Sequence, residues 1–385
     1  MILNNVYILD LNQDFRKQNI QIAGKKIKAI TDSNAAKVEN SISFSEDVIA
    51  FPGLTNSHEH LAVNLHSIHK RRIYEDYIDW ASDDFQETVD EINSIPFNLR
   101  YQWGILKNVL HGFTTVVQHD NFLSEDEETL IDVFKNFKLI HSIHYDKKWK
   151  AKAMLPSSQK KIIHLSEGTN TKMRNEAKKL LKWSLQPKNT IIVHAINVTA
   201  EEAKHFGGLV WCPNSNLHLY NKTANVLELK KVIPIVFGTD SIISSDWNIW
   251  KHIREARALH CLTDVELYES LTTTPAKIFN LKGKGKIAKN ALADIVIAKK
   301  KKQSQYDSLY DLNSEDILLI VKSGKIIFFD DTLKNQLTHE LESAEFEKIK
   351  IKNTVKHIRF GIKKLVDDLQ KSFPNFSHED IFTIV

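Results

Sequence analysis

Short apolar runs that alternate with amphipathic stretches fill the middle of this 385-residue chain and restrict its fold more than any other feature. The apolar runs lie at residues 49–55, 114–118, 138–143, 161–165, 190–194, 208–212 and 232–237. Helical periodicity appears between most of them, for example at 98–111 and 124–136. Strands that are each followed by a helix form parallel sheets. The repeats predict an α/β fold, with a distorted TIM barrel of the (β/α)8 type as the expected architecture.

Three segments depart from this alternation. The polar stretch 144–160 has no strand pattern, so we expect one barrel unit to be degraded or missing. Strand-like segments at both chain ends predict one small β unit built from residues 1–50 and 283–330, with the barrel at 51–282. Residues 331–385 predict a helical C-terminal tail.

Composition argues against several classes of partner. A net charge of +4 is small for this length and does not favour nucleic acid. No apolar run approaches the roughly 20 residues of a membrane span. Two cysteines, Cys212 and Cys261, are too few for a disulfide framework. The first residues lack the pattern of a signal peptide, so we expect a cytoplasmic protein.

Polar side chains occur where the predicted strands end. In a barrel, the C-terminal ends of the strands form the face that carries the active site. His58 and His60 alternate along one strand, so both imidazoles point to the same side. The other polar residues at such positions are His164, Glu167, His194 and Asp240. The pattern therefore predicts a cluster of imidazoles and carboxylates at one edge of the sheet.

These residue types suit a metal centre. Imidazoles with one carboxylate bind a borderline divalent cation, Zn²⁺ or, with the same donors, Fe²⁺. Such a cation with an open position lowers the pKa of bound water towards about 7. The resulting hydroxide attacks an sp² carbon, and an acid must protonate the leaving nitrogen. Glu167, three residues after His164, is the candidate proton carrier.

Each of these residues also has a structural explanation when it is taken alone. Histidines pack in cores or on surfaces, and Asp240 after "FGT" could cap the next helix. Their joint occurrence at strand ends favours the metal site. Gln118, His119 and Asn216 lie near the same predicted edge and are candidates for substrate contact. The long segment 62–97, which is rich in aromatic residues, is expected to form a loop on the catalytic face.

An ordered set of motifs resembles the amidohydrolase superfamily, in the branch of the cytosine and guanine deaminases and the triazine hydrolases. The motifs cover roughly residues 1–330 and are "PGLTNSHEHL", "GFTTVVQHD", "IIHLSEGTN", "IIVHAINVTAEE", "VWCPNSNLHL", "IVFGTDS" and "ALADIVI". The resemblance implies a distorted barrel with a β-sandwich, and one divalent metal held by His58, His60, His164 and Asp240. It also implies that His194 orients the reactive water and that Glu167 shuttles its proton. The family is commonly oligomeric, which makes a homodimer an expectation.

Three functional hypotheses follow from these residues and this resemblance. The first is an aminohydrolase that deaminates a purine, pyrimidine, pterin or similar small heterocycle. The second is hydrolysis of a cyclic amide, as in imidazolonepropionase-type relatives, or displacement of another leaving group. The third is a metal-binding relative without turnover. Glu167 favours the first, because ring deamination needs a proton donor at that position.

Overall fold

A computed structural model describes residues 1–9, 15–32, 41–65, 70–123 and 129–385. Its strands are β1 (Ile2–Ile8), β2 (Lys17–Ala23), β3 (Lys26–Asp32), β4 (Ser41–Ile42), β5 (Val48–Pro52), β6 (Leu54–Glu59), β7 (Phe113–Gln118), β8 (Asp132–Phe134), β9 (Phe137–Ser142), β10 (Lys160–Leu165), β11 (Thr190–His194), β12 (Gly208–Trp211), β13 (Ile235–Phe237), β14 (Ile295–Lys299), β15 (Ile317–Lys322), β16 (Lys325–Asp330), β17 (Glu347–Ile351), β18 (Thr354–Ile358) and β19 (Thr383–Ile384).

The helices follow the same chain order. They are α1 (Tyr77–Trp80), which continues into a π-helical turn (Ala81–Phe85), α2 (Gln86–Ser94), α3 (Phe97–Leu110), α4 (Trp149–Met154), α5 (Thr171–Arg174), α6 (Glu176–Trp183), α7 (Ala200–Ala203), α8 (Pro213–Tyr220), α9 (Val226–Leu229), α10 (Ile249–Ala258), α11 (Asp264–Leu271), α12 (Thr273–Ile278), α13 (Gln305–Tyr310), α14 (Thr338–Ser343) and α15 (Ile362–Ser372). Within the described ranges, no helix combines the length and the apolar composition that crossing a bilayer demands.

Parallel strands form the middle of the molecule, as the alternating pattern predicts. One sheet has the order β13-β12-β11-β10-β9, and a second has the order β6-β7-β8. Every strand pair in these two sheets is parallel. The backbone N–H groups of Thr239 and Asp240 donate to the carbonyl of His58, at 3.0 and 3.1 Å, which joins the end of β13 to β6. The C-terminal ends of these strands therefore lie together.

Two segments on either side of β9, residues 124–136 and 144–160, differ partly from the expectation. In the stretch 144–160, α4 is the regular element before β10 begins, and β9 pairs directly with β10. In the part of 124–136 that is described, the predicted helix is wrong, because residues 132–134 form β8 and pair with β7. Sheet pairing outweighs local helical propensity there. Residues 124–128 of that prediction lie outside the described residues.

Both chain ends join one mixed sheet, which agrees with the expectation that they pair. Its order is β19-β17-β18-β16-β15-β14-β5-β1-β2-β3, and β4 pairs with β1. The antiparallel pair β5–β14 is where the N-terminal and C-terminal segments meet. The apolar run 49–55 is divided at Gly53, so that β5 enters this sheet and β6 enters the parallel one.

The sequence predicts a helical tail for residues 331–385, but this prediction is only partly right. The segment contains α14 and α15, but β17, β18 and β19 extend the mixed sheet. "EKIKI" at 347–351 alternates apolar and polar residues with the period of a strand, and this pattern outweighs the helical signals around it. The end of the chain packs on α3, where the ring centroids of Phe376 and Phe382 lie 4.8 and 6.0 Å from that of Trp103.

Candidate active site

The ends of four parallel strands bring the predicted ligands together. His58 lies in β6 and His60 follows it, His164 lies in β10, His194 ends β11, and Asp240 follows β13. The Nε2 atoms of His58 and His60 lie 3.7 and 3.6 Å from the same oxygen, Oδ1 of Asp240. Two groups have ligand atoms that all lie within 4.8 Å of one another: His58, His164 and His194, and His58, His60 and Asp240. The structure thus clusters the residues that the strand-end pattern predicts.

Acceptors behind the rings set the direction of three imidazoles. The Nδ1 atom of His60 lies 2.7 Å from Oδ2 of Asp120, and that of His164 lies 2.8 Å from the carbonyl oxygen of His141. The Nδ1 atom of His194 lies 2.8 Å from Oδ1 of Asn216. Because these partners are acceptors, each Nδ1 carries the proton and donates it, which leaves the Nε2 lone pair for a ligand.

The surroundings of His58 show whether this cluster fits a cation. Its side chain is fully buried, and both of its ring nitrogens lack a hydrogen-bond partner among the described residues. Buried polar atoms are nearly always satisfied, so an orphaned imidazole needs an explanation. A metal ion that accepts the Nε2 lone pair supplies one, and three imidazoles with a carboxylate are a suitable donor set for it. The residues present therefore fit a divalent metal.

The charge states of His58 and Asp240 fit a metal donor, whereas His60 would first have to lose a proton. Burial lowers the pKa of His58 to about 4, so this ring is neutral at pH 7. Burial also lowers the pKa of His60, but the carboxylates of Asp120 and Asp240 outweigh it and raise this pKa to about 9. Burial opposes ionisation of Asp240, yet the neighbouring histidines hold its pKa well below the usual range. Binding of a metal must therefore release the proton of His60.

The strand ends carry backbone strain at or next to residues of the cluster. His194 and Asp240 have φ of 66° and 62°, in the left-handed region that residues with a Cβ rarely adopt. Ser166, next to Glu167, has φ of 55°. Such strain persists only where the surrounding structure imposes it, and it concentrates at functional sites.

A buried polar network behind this cluster connects its strands. Glu59 lies between His58 and His60 in the chain and points to the opposite face of β6. Its Oε2 atom accepts from the Thr239 hydroxyl at 3.0 Å and lies 3.1 Å from Nζ of Lys107. Lys107 belongs to α3, and Thr239 precedes Asp240. This carboxylate therefore ties the histidine strand to the end of β13 and to α3.

Glu167 lies beside the cluster with both carboxylate oxygens facing specific groups. Its Oε1 atom accepts from the hydroxyl of Tyr220 at 2.8 Å, and its Oε2 atom lies 3.5 Å from Nε2 of His194. Burial raises the pKa of Glu167 above its ordinary value. A carboxyl group with a raised pKa exchanges a proton more readily near neutral pH.

A cavity of about 340 Å³ opens over this cluster. The segment 62–97 supplies much of its wall, as the sequence predicts, but the predicted loop is wrong for residues 77–94, which form α1, the π-helical turn and α2. The apolar and aromatic wall consists of Ala62, Val63, Tyr77, Trp80, Ala81, Phe85, Phe97 and Tyr145. The polar groups are those of His60, Asn93, Arg100, Asp120, Asn121, His141, Ser142, His164, Glu167, His194, Asp240 and Ser241. The volume of the cavity and its aromatic wall suit a small molecule that contains a planar ring.

The candidate substrate residues Gln118, His119 and Asn216 are outside the wall of this cavity as the structure describes it. Gln118 accepts from the backbone N–H of Leu61 at 2.9 Å, which fixes the loop after β6. The His119 ring packs against that of His58 with centroids 4.0 Å apart. Asn216 accepts from His194. These side chains therefore contact other parts of the site, namely the backbone of Leu61, the ring of His58 and the ring of His194.

Two supporting residues, Asp120 and Tyr220, were not predicted. Asp120 follows β7 in "QHD", so the strand-end rule that found Asp240 would also have found it. Tyr220 lies four residues after Asn216 in α8, and helical spacing places the two on one face. Neither signal shows which residue of the site the side chain contacts.

Replacing Asp120 should weaken metal binding without removing a ligand. In Asp120→Asn, the amide oxygen can still accept from His60, but the negative charge that raises the basicity of the ring is lost. We expect metal affinity to fall by about 10- to 100-fold, as for other outer carboxylates. Competition with a chromophoric chelator measures this, with the exposed Asp367→Asn as the matched control. Equal affinities for the two variants would remove Asp120 from this role.

Comparisons with known proteins show which proteins this chain is similar to. Residues 162–327 match the model of the Amidohydrolase family. A 5'-deoxyadenosine deaminase of Methanococcus maripaludis (strain C7) is 22% identical over 84% of this chain and 96% of its own length. A 5-methylthioadenosine/S-adenosylhomocysteine deaminase of Dictyoglomus turgidum is 22% identical over 91% of this chain and 99% of its own. An adenosine deaminase from Xanthomonas campestris with bound zinc superposes with a TM-score of 0.74, at 14% identity over 96% of this chain and 97% of that one.

Proposed function

We propose, from this family match and these relatives, that the chain is a member of the amidohydrolase superfamily and a metal-dependent deaminase of an adenine nucleoside. It is a hydrolase of carbon–nitrogen bonds other than peptide bonds. The observation that carries the proposal is the position of Glu167, buried between Tyr220 and His194 at the edge of the metal cluster. Deamination of a ring needs a proton carrier at that place.

His58, His60, His164 and Asp240 would hold the cation. We propose zinc rather than iron, because three imidazoles and a carboxylate suit zinc and the relative from Xanthomonas campestris holds it. When bound, the cation supplies a Lewis acid that lowers the pKa of water and makes it a nucleophile near neutral pH. The strained backbone at Asp240 would keep this donor directed at the imidazoles.

Glu167 and His194 would carry the protons of the reaction. Water adds to the ring carbon that bears the amine, and Glu167 takes the proton of this water and passes it to the adjacent ring nitrogen. His194, held at Nδ1 by Asn216, presents Nε2 where it can hydrogen-bond the attacking water. Glu167 then takes the second proton of the added water, from the hydroxyl on the ring carbon, and delivers it to the amine, so that the carbon–oxygen double bond forms, the carbon–nitrogen bond breaks and ammonia leaves. The raised pKa of Glu167 suits a group that must both accept and donate.

The cavity supports a purine as the substrate. Tyr77, Trp80, Phe85 and Phe97 offer aromatic surface to a planar ring, while Asn93 and Arg100 offer polar groups to its substituents. The named relatives act on adenosine derivatives that differ at the 5' position. We therefore propose an adenosine derivative of this kind.

A panel of adenine nucleosides tests this function. The zinc-loaded enzyme should release ammonia from at least one of adenosine, 5'-deoxyadenosine, 5'-methylthioadenosine and S-adenosylhomocysteine, with a kcat/KM above about 10⁴ M⁻¹s⁻¹. Ammonia release coupled to a dehydrogenase and the ultraviolet change from adenine to hypoxanthine measure the same reaction independently. Absence of ammonia from every nucleoside, together with opening of a cyclic amide, would favour the second hypothesis.

The finer architecture also belongs to the proposal. We propose that the two parallel sheets close into a distorted barrel from which one unit is missing. The hydrogen bonds from Thr239 and Asp240 to His58 support closure on one side. On the other side, only Lys135 and Asn136 separate β8 from β9, so the chain passes directly between the sheets. The β-sandwich, the domain boundaries and the homodimer stay predictions.

A further inference from the structure

One face of helix α8 supports both proton-handling residues of the proposed reaction. Asn216 and Tyr220 are four residues apart in this eight-residue helix, so their side chains project from the same face. Asn216 contacts Nδ1 of His194 at 2.8 Å, and Tyr220 donates to Oε1 of Glu167 at 2.8 Å. His194 and Glu167 lie on different strand ends, and α8 is the element that contacts both side chains.

The backbone of Glu167 is held independently of its carboxylate. The N–H of Ser166 donates to Oε2 of Glu176 at 2.8 Å, and the carbonyl of Glu167 accepts from the N–H of Tyr77 at 3.2 Å. Neither contact determines where the Glu167 carboxylate points. The terminal torsion of a glutamate has a broad distribution, so a fixed orientation needs a partner at the carboxylate itself.

Tyr220 is that partner. Its side chain is buried, at 3% relative exposure, and its ring packs with Tyr74, Ile196 and Leu219 in a small apolar cluster. The rigid ring fixes the hydroxyl, and the hydroxyl occupies Oε1. Among the described residues, the remaining close side-chain contact of the carboxylate is that of Oε2 with His194. The two oxygens thus have different surroundings.

We propose that Tyr220 is a positioning residue that reserves Oε1 of Glu167 and leaves Oε2 as the oxygen that exchanges protons. This inference rests on the proposed function of Glu167 as proton carrier. Tyr220 is absent from the cavity wall as described, so it acts through Glu167 and not on the substrate. Removing its hydroxyl frees the carboxylate to rotate while the metal donors and the cavity stay intact.

The variant Tyr220→Phe tests the proposal because it keeps the buried ring and removes only the hydroxyl. We expect kcat to fall by about 10- to 100-fold, the size of effect that slight misplacement of a reacting group produces. KM, metal content and Tm should stay close to those of the parent. Tyr74→Phe removes a hydroxyl from the same apolar cluster and should leave kcat unchanged.

A double variant separates positioning from a structural effect. If Tyr220 acts through Glu167, Tyr220→Phe should cause no further loss of kcat in the Glu167→Gln background. The same fractional loss in both backgrounds, or an unchanged kcat in the single variant, would overturn the proposal.

A structure of the variant provides a readout that does not depend on turnover. Zinc-loaded crystals of Tyr220→Phe should show the Glu167 carboxylate in more than one orientation or turned away from His194. A single carboxylate orientation identical to the parent's would contradict the proposal. If the parent enzyme deaminates no purine nucleoside, the proposed function fails, but this crystallographic comparison still decides the role of Tyr220.

Discussion

Glu167→Gln should lower kcat for deamination by about 10²- to 10⁴-fold, the range for loss of a general acid–base group. Glutamine has nearly the same shape and can still accept from Tyr220, so the site should keep its packing. The amide cannot take up the proton of the attacking water or deliver it to the leaving amine. Metal content should stay at one ion per chain, because Glu167 is outside the proposed donor set. Steady-state kinetics with metal analysis of the same sample measures both quantities.

A surface glutamate provides the matched control for this change. Glu201 has an exposed side chain that pairs with Lys204, so Glu201→Gln removes one carboxylate charge far from the cavity. Its kcat should equal that of the parent. Turnover retained within a factor of about three in Glu167→Gln would remove Glu167 from the proton-carrying role, since general acid–base catalysis contributes at least about 10²-fold.

Asp240→Ala should abolish stable metal binding. Its Oδ1 atom lies within 3.7 Å of the Nε2 atoms of both His58 and His60, so the carboxylate is the proposed anionic donor among the imidazoles. Loss of an outer-sphere partner costs about 10- to 100-fold in metal affinity. Loss of a direct anionic ligand should cost more than this, and deamination should fall to background. Elemental analysis after dialysis against a weak chelator measures the metal content per chain.

Two further measurements make this prediction specific. Asp367→Ala removes an exposed carboxylate from α15 and should leave both metal content and turnover unchanged. Addition of excess zinc to Asp240→Ala should restore little activity, because alanine has no oxygen that could replace the carboxylate as a donor to the cation. Unchanged metal stoichiometry in Asp240→Ala would exclude ligation by Asp240.

The strand-end rule accounts for much of what could be foreseen in the site. His58, His164, His194 and Asp240 follow apolar runs, and parallel strands bring such positions to one edge regardless of their separation in the chain. The same rule placed Gln118, His119 and Asn216 near this edge, but none of the three lines the cavity as it is described. A twofold alternation shows that neighbours diverge without showing which of them faces the cavity, because that depends on how each strand is rotated against its neighbours.

Contacts between distant segments escaped prediction for a related reason. Asp120 and His60 are 60 residues apart, and Tyr220 and Glu167 are 53 residues apart. Nothing local distinguishes these two from other aspartates and tyrosines near strand or helix ends. The strands of 331–385 were missed because their short alternating runs become stable only when they pair with the existing sheet.

The amino-acid order alone determined the general features of this protein: parallel strands, a cluster of imidazoles and a carboxylate at their ends that is able to hold a metal, and a further carboxylate beside them. These features depend on local periodicity and residue type, which the order of residues contains directly. Only the tertiary structure decided which ring nitrogen of His60, His164 and His194 has a partner, which oxygen of Glu167 is occupied, and which side chains line the cavity. Those properties depend on distances of about 3 Å between atoms far apart along the chain, and packing of the whole molecule sets such distances.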